Sequence, residues 1–271
     1  MPASIRTPVL VLLLLVAAAG LCWLLWPHSP DQPYWDRALL APLSNWTHPL
    51  GTDAIGRDLL ARVVLATAMS IAIGLCAGAL AAIIGLLVGA TAGYLGGFVD
   101  ELLMRAVDVL LALPLLLIAI LLLAFFEPSL WVLMLLVGAF GALDVARTMR
   151  VEARRVASQE FVLAAQLQGH GSRYILTHHV LPNLRPALLT GISVIVPQSI
   201  LVESFLAFLG LSPSERIGSL GSLLAEGVQD MAYAPWMLVV PALAMGTVLL
   251  CFGLIGDRLR DARRAARGDE A

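Results

Sequence analysis

Long apolar runs separated by short polar segments dominate the chain. Apolar residues fill about Pro8–Trp26, Val63–Ala92, Val109–Phe126, Leu130–Ala146, Ala187–Leu209 and Pro235–Ile255. A run of about 20 apolar residues matches a helix crossing the ~30 Å hydrocarbon core of a bilayer. The pattern predicts an all-α integral membrane protein with six transmembrane helices. The first run lacks a small-x-small exit and leads into Trp26-Pro27, so it predicts a retained anchor. In the second run, Gly74 and Gly78, then Gly85, Gly89 and Gly93, recur at four-residue spacing. That spacing predicts close approach of neighbouring helices. Pro114 falls near the start of the third run and Pro197 inside the fifth, and Glu127-Pro128-Ser129 predicts a tight turn.

Two polar segments stand out between the runs. Pro27 to Arg62 carries Pro30, Pro33, Pro42 and Pro49, which oppose long helices, and Trp35 and Trp46, which suit a membrane surface. It predicts an irregular collar or lid. Residues 160–183 are the larger clue, because a polar loop in a hydrophobic protein exists to touch something soluble. Ser158 is placed to cap a short helix through Leu167, with Glu160 in its first turn and Gly169 as its stop. Phe161, Ala164, Ala165 and Leu167-Gln168 would form its compact contact face, with small residues at the centre. Pro182 and Asn183 should end the next helical stretch. The competing reading is an amphipathic helix lying on lipid. The chain divides into an anchor and collar (1–62), a core of five spans with the polar loop at about 150–183 (63–256), and an Arg-rich tail (257–271).

Composition sharpens this. Of the 271 residues, 59% are hydrophobic and 13% charged, and the mean hydropathy is +0.88. All 17 basic residues are Arg. A phosphate-binding P-loop needs a Lys, so the chain carries no standard ATP site and any ATP-driven step belongs to another subunit. With the N-terminus inside, thirteen of the 17 Arg residues fall on inner segments, leaving Arg37, Arg57, Arg62 and Arg216 outside. That bias predicts cytoplasmic termini and a cytoplasmic 160–183 loop. Cys22, Cys76 and Cys251 lie in different runs and read as packing residues. A net charge of −2 gives no sign of nucleic-acid binding.

The polar loop also carries a family resemblance. Glu160-x-x-x-Ala164-Ala165-x-x-x-Gly169, followed by Leu181-Pro182, resembles the EAA loop of bacterial ABC importer permeases. His48-Pro49-Leu50-Gly51-Thr52-Asp53-Ala54-Ile55-Gly56-Arg57-Asp58 is similar to a signature of one branch, the second permease of dipeptide, oligopeptide and nickel importers. Gly93–Asp100 with Met104, Arg105 and Asp108, Glu203–Leu211, and Gly256–Asp261 resemble further motifs of that branch. The resemblance spans about residues 46–261. It departs where Glu215-Arg216-Ile217-Gly218 lacks a Trp after Pro213, and where Arg263-Arg264 lacks the usual Asp-Pro continuation. It implies a type I permease fold in a bacterial plasma (inner) membrane. It also implies a cytoplasmic coupling helix, with Glu160, Phe161, Ala164, Ala165 and Gly169 docking on an ATPase. The implied partners are a homologous second permease, two ABC ATPase subunits that hold ATP and Mg, a periplasmic or extracellular solute-binding protein, and the lipid bilayer. The implied cargo is a small peptide, nickel or a metal chelate. The chain itself is expected to be non-catalytic, with no cofactor and no metal site.

Single residues extend the candidate set. Glu203 reads as the only acid well inside an apolar run, either lining a translocation path or packing beside Ser204 near the outer interface. Asp53, Arg57 and Asp58 cluster outside the second span, as an outer-face contact or as a knot that fixes the collar, with Asp53 and Arg57 at ion-pair spacing if helical. Asp100, Arg105 and Asp108 could brace the coupling loop. His178 and His179 precede Leu-Pro-Asn, and His28 and His48 face outward; neither pair makes a convincing metal site. A secondary transporter would need ion-coupling residues and inverted repeats, and no repeat is visible. An intramembrane protease would need a nucleophile or zinc motif, and none occurs. A membrane anchor for a soluble complex is the remaining alternative.

Overall fold

Helix α2 (Leu59–Leu95) is the axis on which the other helices assemble. The computed structural model describes residues 3–26, 28–126, 129–211 and 218–268, and no strand occurs among them. Asp58 caps α2, its side chain accepting from the Ala61 N–H at 2.7 Å. The glycine stripe then seats two different helices. A Cβ on Gly74 or Gly78 would strike Ile200 and Val196 of α8 (Leu181–Phe208). A Cβ on Gly85, Gly89 or Gly93 would strike Val145, the Ala146 carbonyl, or the Arg150 carbonyl and Ala153 of α5 (Leu130–Ala157). Contact with α5 is the most extensive in the molecule. Alanines continue the seam, and Ala77, Ala81, Ala90 and Ala92 are fully enclosed. α5 runs parallel to α2, and α8 runs antiparallel to both.

A helix α1 (Ala3–Leu25) packs against α2 and α10 (Trp236–Gly268). Among the described residues, four helices are long and apolar enough to cross a membrane: α2, α5, the continuous Ser172–Phe208 segment, and α10. The expected third span differs. α3 (Gly97–Leu111) and α4 (Leu115–Phe125) meet at a 79° bend, and counting the pair as one broken span gives five. The break falls at Pro114, which stands extended (ψ 120°) at the N-cap position of α4, and a proline disfavours helical conformation in the residue before it. α4 alone would be only ~17 Å long at 1.5 Å per residue.

Two further expectations change. Pro182 does not end a helix. α7 (Ser172–Ile175) runs through a π turn at Leu176–Val180 into α8, with Pro182 in the first turn of α8. The wide turn accommodates the missing N–H, and Asn183 Nδ2 donates to the His179 carbonyl at 2.7 Å. α10 passes Ile255 without a break, so the described part of the Arg-rich tail is helix, as its Ala, Leu and Arg content favours. The Glu127-Pro128 turn, and the 212–217 segment with Arg216 and the departure after Pro213, lie outside the described residues.

The collar is irregular, as its prolines dictate: a 3-10 turn at Trp35–Arg37, further turns, and one bridge between Thr52 and Asp58. It closes over the start of α2. A helix not expected from the sequence, α9 (Leu220–Asp230), joins it there. Gly221 of α9 lies against the backbone of Ser204, and the Leu220 N–H donates to Ser70 Oγ of α2 at 3.0 Å.

The α2–α5 seam sets the first prediction. A side chain at Gly89 would meet the Ala146 carbonyl oxygen at 2.3 Å and Met149 Cβ at 2.8 Å, neither able to move without shifting α5. Gly89→Leu should destabilise the purified protein in detergent by about 2 kcal/mol or more, read from thermal unfolding. Gly246→Ala, with nothing within 4 Å, should unfold like the parent. Equal midpoints for all three would refute the seam.

Candidate functional site

The polar loop forms the short helix that its sequence predicts. α6 spans Glu160–Leu167 and ends in a Schellman turn. The Gly169 N–H donates to the Gln166 carbonyl at 3.0 Å, and the His170 N–H donates to the Ala165 carbonyl at 3.2 Å. Gly169 takes φ +82°, which supplies that turn without a side-chain clash. The start differs from expectation. Gln159 is the N-cap and makes no side-chain cap, while Ser158 closes α5 and donates back to the Arg155 carbonyl at 2.9 Å. Two residues thus separate α5 from α6.

The faces of α6 also sort differently. Val162 and Ala165 are buried and packed with Ala153, Val156, Ile175 and Val180. Ala165 therefore seats the helix and is not part of an outward contact face. Glu160, Phe161, Leu163, Ala164 and Leu167 point outward, and Leu167 is 90% exposed. Beside them, Tyr174 stacks between His170 and His178, with ring centroids 4.6 and 4.3 Å away. Phe161 reaches to 6.3 Å from His179. The histidines are thus engaged as ring partners, and among the described residues no group of three His, Cys, Asp or Glu could hold a metal.

A charge clamp anchors this region. Asp100 of α3 is nearly buried and accepts two hydrogen bonds from Arg150, at 2.5 and 2.6 Å, and one from Arg154. Arg147 reaches Asp108 at 2.5 Å, whereas Arg105 pairs only with Glu101 on its own helix. Asp100 and Asp108, but not Arg105, therefore hold α3 to the last turns of α5, immediately before α6. Bidentate guanidinium pairing gives that join a fixed geometry.

At the opposite end, Asp53, Arg57 and Asp58 belong to one network. Asp53 Oδ1 accepts from the Ile55 and Arg57 N–H groups at 3.0 and 2.8 Å. Its Oδ2 accepts from Arg57 Nε at 2.6 Å and from Arg62 Nη1 at 2.7 Å. Arg62 also grips Glu226 of α9 with two bonds, at 2.6 and 2.9 Å. The Asp53–Arg57 pair forms as its spacing suggests, but in a turn, with Gly56 at φ +83°. Asp58 receives His48 Nδ1 at 2.7 Å, both fully buried, while Arg37 Nη1 lies 3.3 Å from His48 Nε2. Guanidinium only donates, so Nε2 accepts and Nδ1 carries the proton. The His28 ring sits 4.5 Å from His48, and burial first, then His48 and Arg37, push its imidazole below the ordinary histidine range. Asp53 and Asp58 are thus consumed inside a knot, and of the three only Arg57 keeps exposure. Arg62 and Glu226 were not singled out in the sequence. The signal was an Arg four residues inside an apolar helix, which needs a partner carboxylate.

Glu203 is fully enclosed at the junction of α2, α8 and α9, with Ser204 Oγ donating at 3.3 Å and the hydroxyls of Ser70 and Ser219 nearby. Glu203 Oε1 has no hydrogen-bond partner among the described residues. Its side chain has no exposed surface. A groove lies elsewhere, between α5 and α8, with Asp144 and Gln198 on its walls. Asp144 is thus a second acid within an apolar helix, overlooked because Arg147 three residues on made it read as the end of a span.

The comparisons place this architecture. Residues 85–264 match the model of the family described as "Binding-protein-dependent transport system inner membrane component". The chain is 40% identical over 253 residues to the oligopeptide transport system permease protein OppC of Escherichia coli K12, covering 93% of this chain and 84% of that protein. It is 34% identical over 236 residues to OppC of Haemophilus influenzae, covering 87% and 76%. With OppC of Bacillus subtilis it shares 35% over 215 residues, covering 79% and 70%.

Removing one partner from a buried ion pair costs about 3–5 kcal/mol, because a charge is left uncompensated. Arg62→Ala should therefore free the collar and α9, raising amide hydrogen exchange in 48–58 and 220–230 while leaving the α2–α5 seam protected. Unchanged exchange in both segments would show that Arg62 is not what ties them.

Proposed function

The chain belongs to the binding-protein-dependent transport system inner membrane component family, and we propose that it couples ATP hydrolysis on a partner to oligopeptide passage through α6. It is a multi-pass permease subunit of an ABC importer and is not itself catalytic. The observation that carries the coupling reading is α6: a short helix seated by Val162 and Ala165, with Phe161, Leu163 and Leu167 exposed on its outward face. Clustered exposed apolar residues mark an interaction site. In this reading the partner surface is a groove of an ABC ATPase subunit.

The full assembly in this reading pairs the chain with a homologous permease, two ATPase subunits holding ATP and Mg, and an external solute-binding protein. α1 and the bent α3–α4 pair complete six spans. The Arg bias supports an orientation with both termini, α6 and the charge clamp in the cytoplasm, and the collar with α9 on the outer face. Closure of the ATPases would move α6, and α5 would carry that movement into the bilayer. Glu203 would hold the outer junction of α2, α8 and α9 together. Oligopeptide is favoured over nickel as cargo because the curated relatives are oligopeptide permeases.

The test uses the assembled importer in proteoliposomes. Glu160→Lys places a positive charge at the positive end of the α6 dipole. Gly169→Pro removes the N–H that closes the helix and forbids φ +82°. Both should lower ATP-driven uptake at least about tenfold, consistent with loss of one small interface element, while membrane insertion stays normal. Parental uptake in both variants would rule out α6 as the coupling element.

A further inference from the structure

The groove between α5 and α8 is the least explained polar feature of the membrane-spanning part. Its volume is about 270 Å³, and Asp144, Thr148, Thr190, Gln198 and Arg260 contribute its polar lining. An adjoining pocket of about 120 Å³ shares Asp144, Ile195 and Gln198 as its wall. Asp144 lies ~21 Å along α5 and Gln198 ~15 Å from the far end of α8, at 1.5 Å per residue, so both fall at bilayer depth. Each is exposed. Among the described residues neither side chain has a hydrogen-bond or ion-pair partner. The neighbouring cations are taken: Arg147 is held by Asp108 at 2.5 Å, and Arg260 lies 3.6 Å from Asp257.

A carboxylate at this depth is tolerated where it meets water, a partner or a passing ligand. The remaining walls, Val145, Val194 and Ile195, are apolar and without polar preference. The Asp144 carboxylate, the Gln198 amide that both donates and accepts, the Thr148 and Thr190 hydroxyls and an apolar remainder, with Arg260 beside its own Asp257, match what all peptides share. Every unblocked peptide has a terminal ammonium and a run of backbone amides, whatever its side chains.

Resting on the importer reading above, we propose that this groove is a peptide way-station. Asp144 receives the terminal ammonium of the cargo, and Gln198 pairs with its backbone amides. The chain thereby adds its own preference for a free amino end to whatever the binding protein selects.

The experiment measures peptide binding directly, by equilibrium dialysis on the complex of both permeases and both ATPases with the binding protein omitted. The probes are tritiated trialanine and N-acetyl-trialanine. The wild-type complex should hold trialanine about tenfold more tightly than the acetylated peptide, the scale of one charge-assisted hydrogen bond. Asp144→Asn should abolish that preference by weakening trialanine alone, Asp144→Glu should keep it, and Gln198→Leu should weaken both peptides alike. No trialanine binding by the wild type, equal affinity for the two peptides, or an Asp144→Asn variant that changes both equally or neither would overturn the way-station. A separate arm measures ATP-driven trialanine uptake with the binding protein present. Uptake without the binding preference removes the way-station alone, whereas no uptake removes the importer reading and the way-station with it.

Discussion

Close backbone contact along α2 is the constraint on which everything else rests. In lipid, apolar side chains gain little by leaving one apolar surrounding for another, so helices associate through packing. The α2 stripe answers this with glycine and alanine, and its register divides the work. Gly74 and Gly78 admit α8, while Gly85, Gly89 and Gly93 admit α5. One helix therefore fixes two neighbours of opposite direction. The helices are too close for either contact to slide, because Gly85, Gly89 and Gly93 face carbonyls or β-carbons of α5 while Gly74 and Gly78 face the branched side chains of Ile200 and Val196.

The two ends of that axis are built from charge. At the start of α2, Asp58 caps the helix and Arg62 reaches both Asp53 and Glu226, so the collar and α9 are tied to the same turn. Near its end, Asp100 gathers Arg150 and Arg154 from α5. The placement is physical: at the rims Glu226, Arg150 and Arg154 keep contact with solvent, which lowers the desolvation cost below that at the bilayer centre, while Asp53 and Arg62 are buried but paired. Uncharged close packing holds the middle and bidentate pairs hold the rims. The bundle can thus be rigid along α2 and α5 without burying charge at its core.

Much of this was legible in the sequence, and the failures share a cause. Apolar runs gave α2, α5, α8 and α10, and Glu160 to Gly169 gave α6 and its stop, because period and turn chemistry act locally. What was missed depends on residues far apart. α9 is short and mixed in composition, and its reason for being helical lies in Ser70, Ser204 and Arg62. Ala165 looked like part of a contact face because small residues admit neighbours, yet the neighbour was the chain itself. Asp53 and Arg57 had the right spacing in the wrong conformation, since spacing cannot distinguish a helix turn from a loop closed by Gly56. Pro114 was noticed, but only the structure shows that it turns the chain by 79°.

The clamp gives α6 a particular mechanical character. A helix of eight residues hung on a flexible linker would absorb a push instead of passing it on. Here only Ser158 and Gln159 separate α6 from α5, and Val162 and Ala165 lock its inner face to Val156, Ile175 and Val180. α3, pinned through Asp100 and Asp108, buttresses the same turns of α5 from the side. Force on the outward face of α6 therefore has two continuous routes into the spans, through α5 and through the unbroken Ser172–Phe208 helix. Those helices form the two walls of the groove that holds Asp144 and Gln198. In the coupling reading proposed above, a displacement of α6 would reach those walls through the same two helices, so an event at one rim would bear on the middle of the bundle without direct contact between the two places.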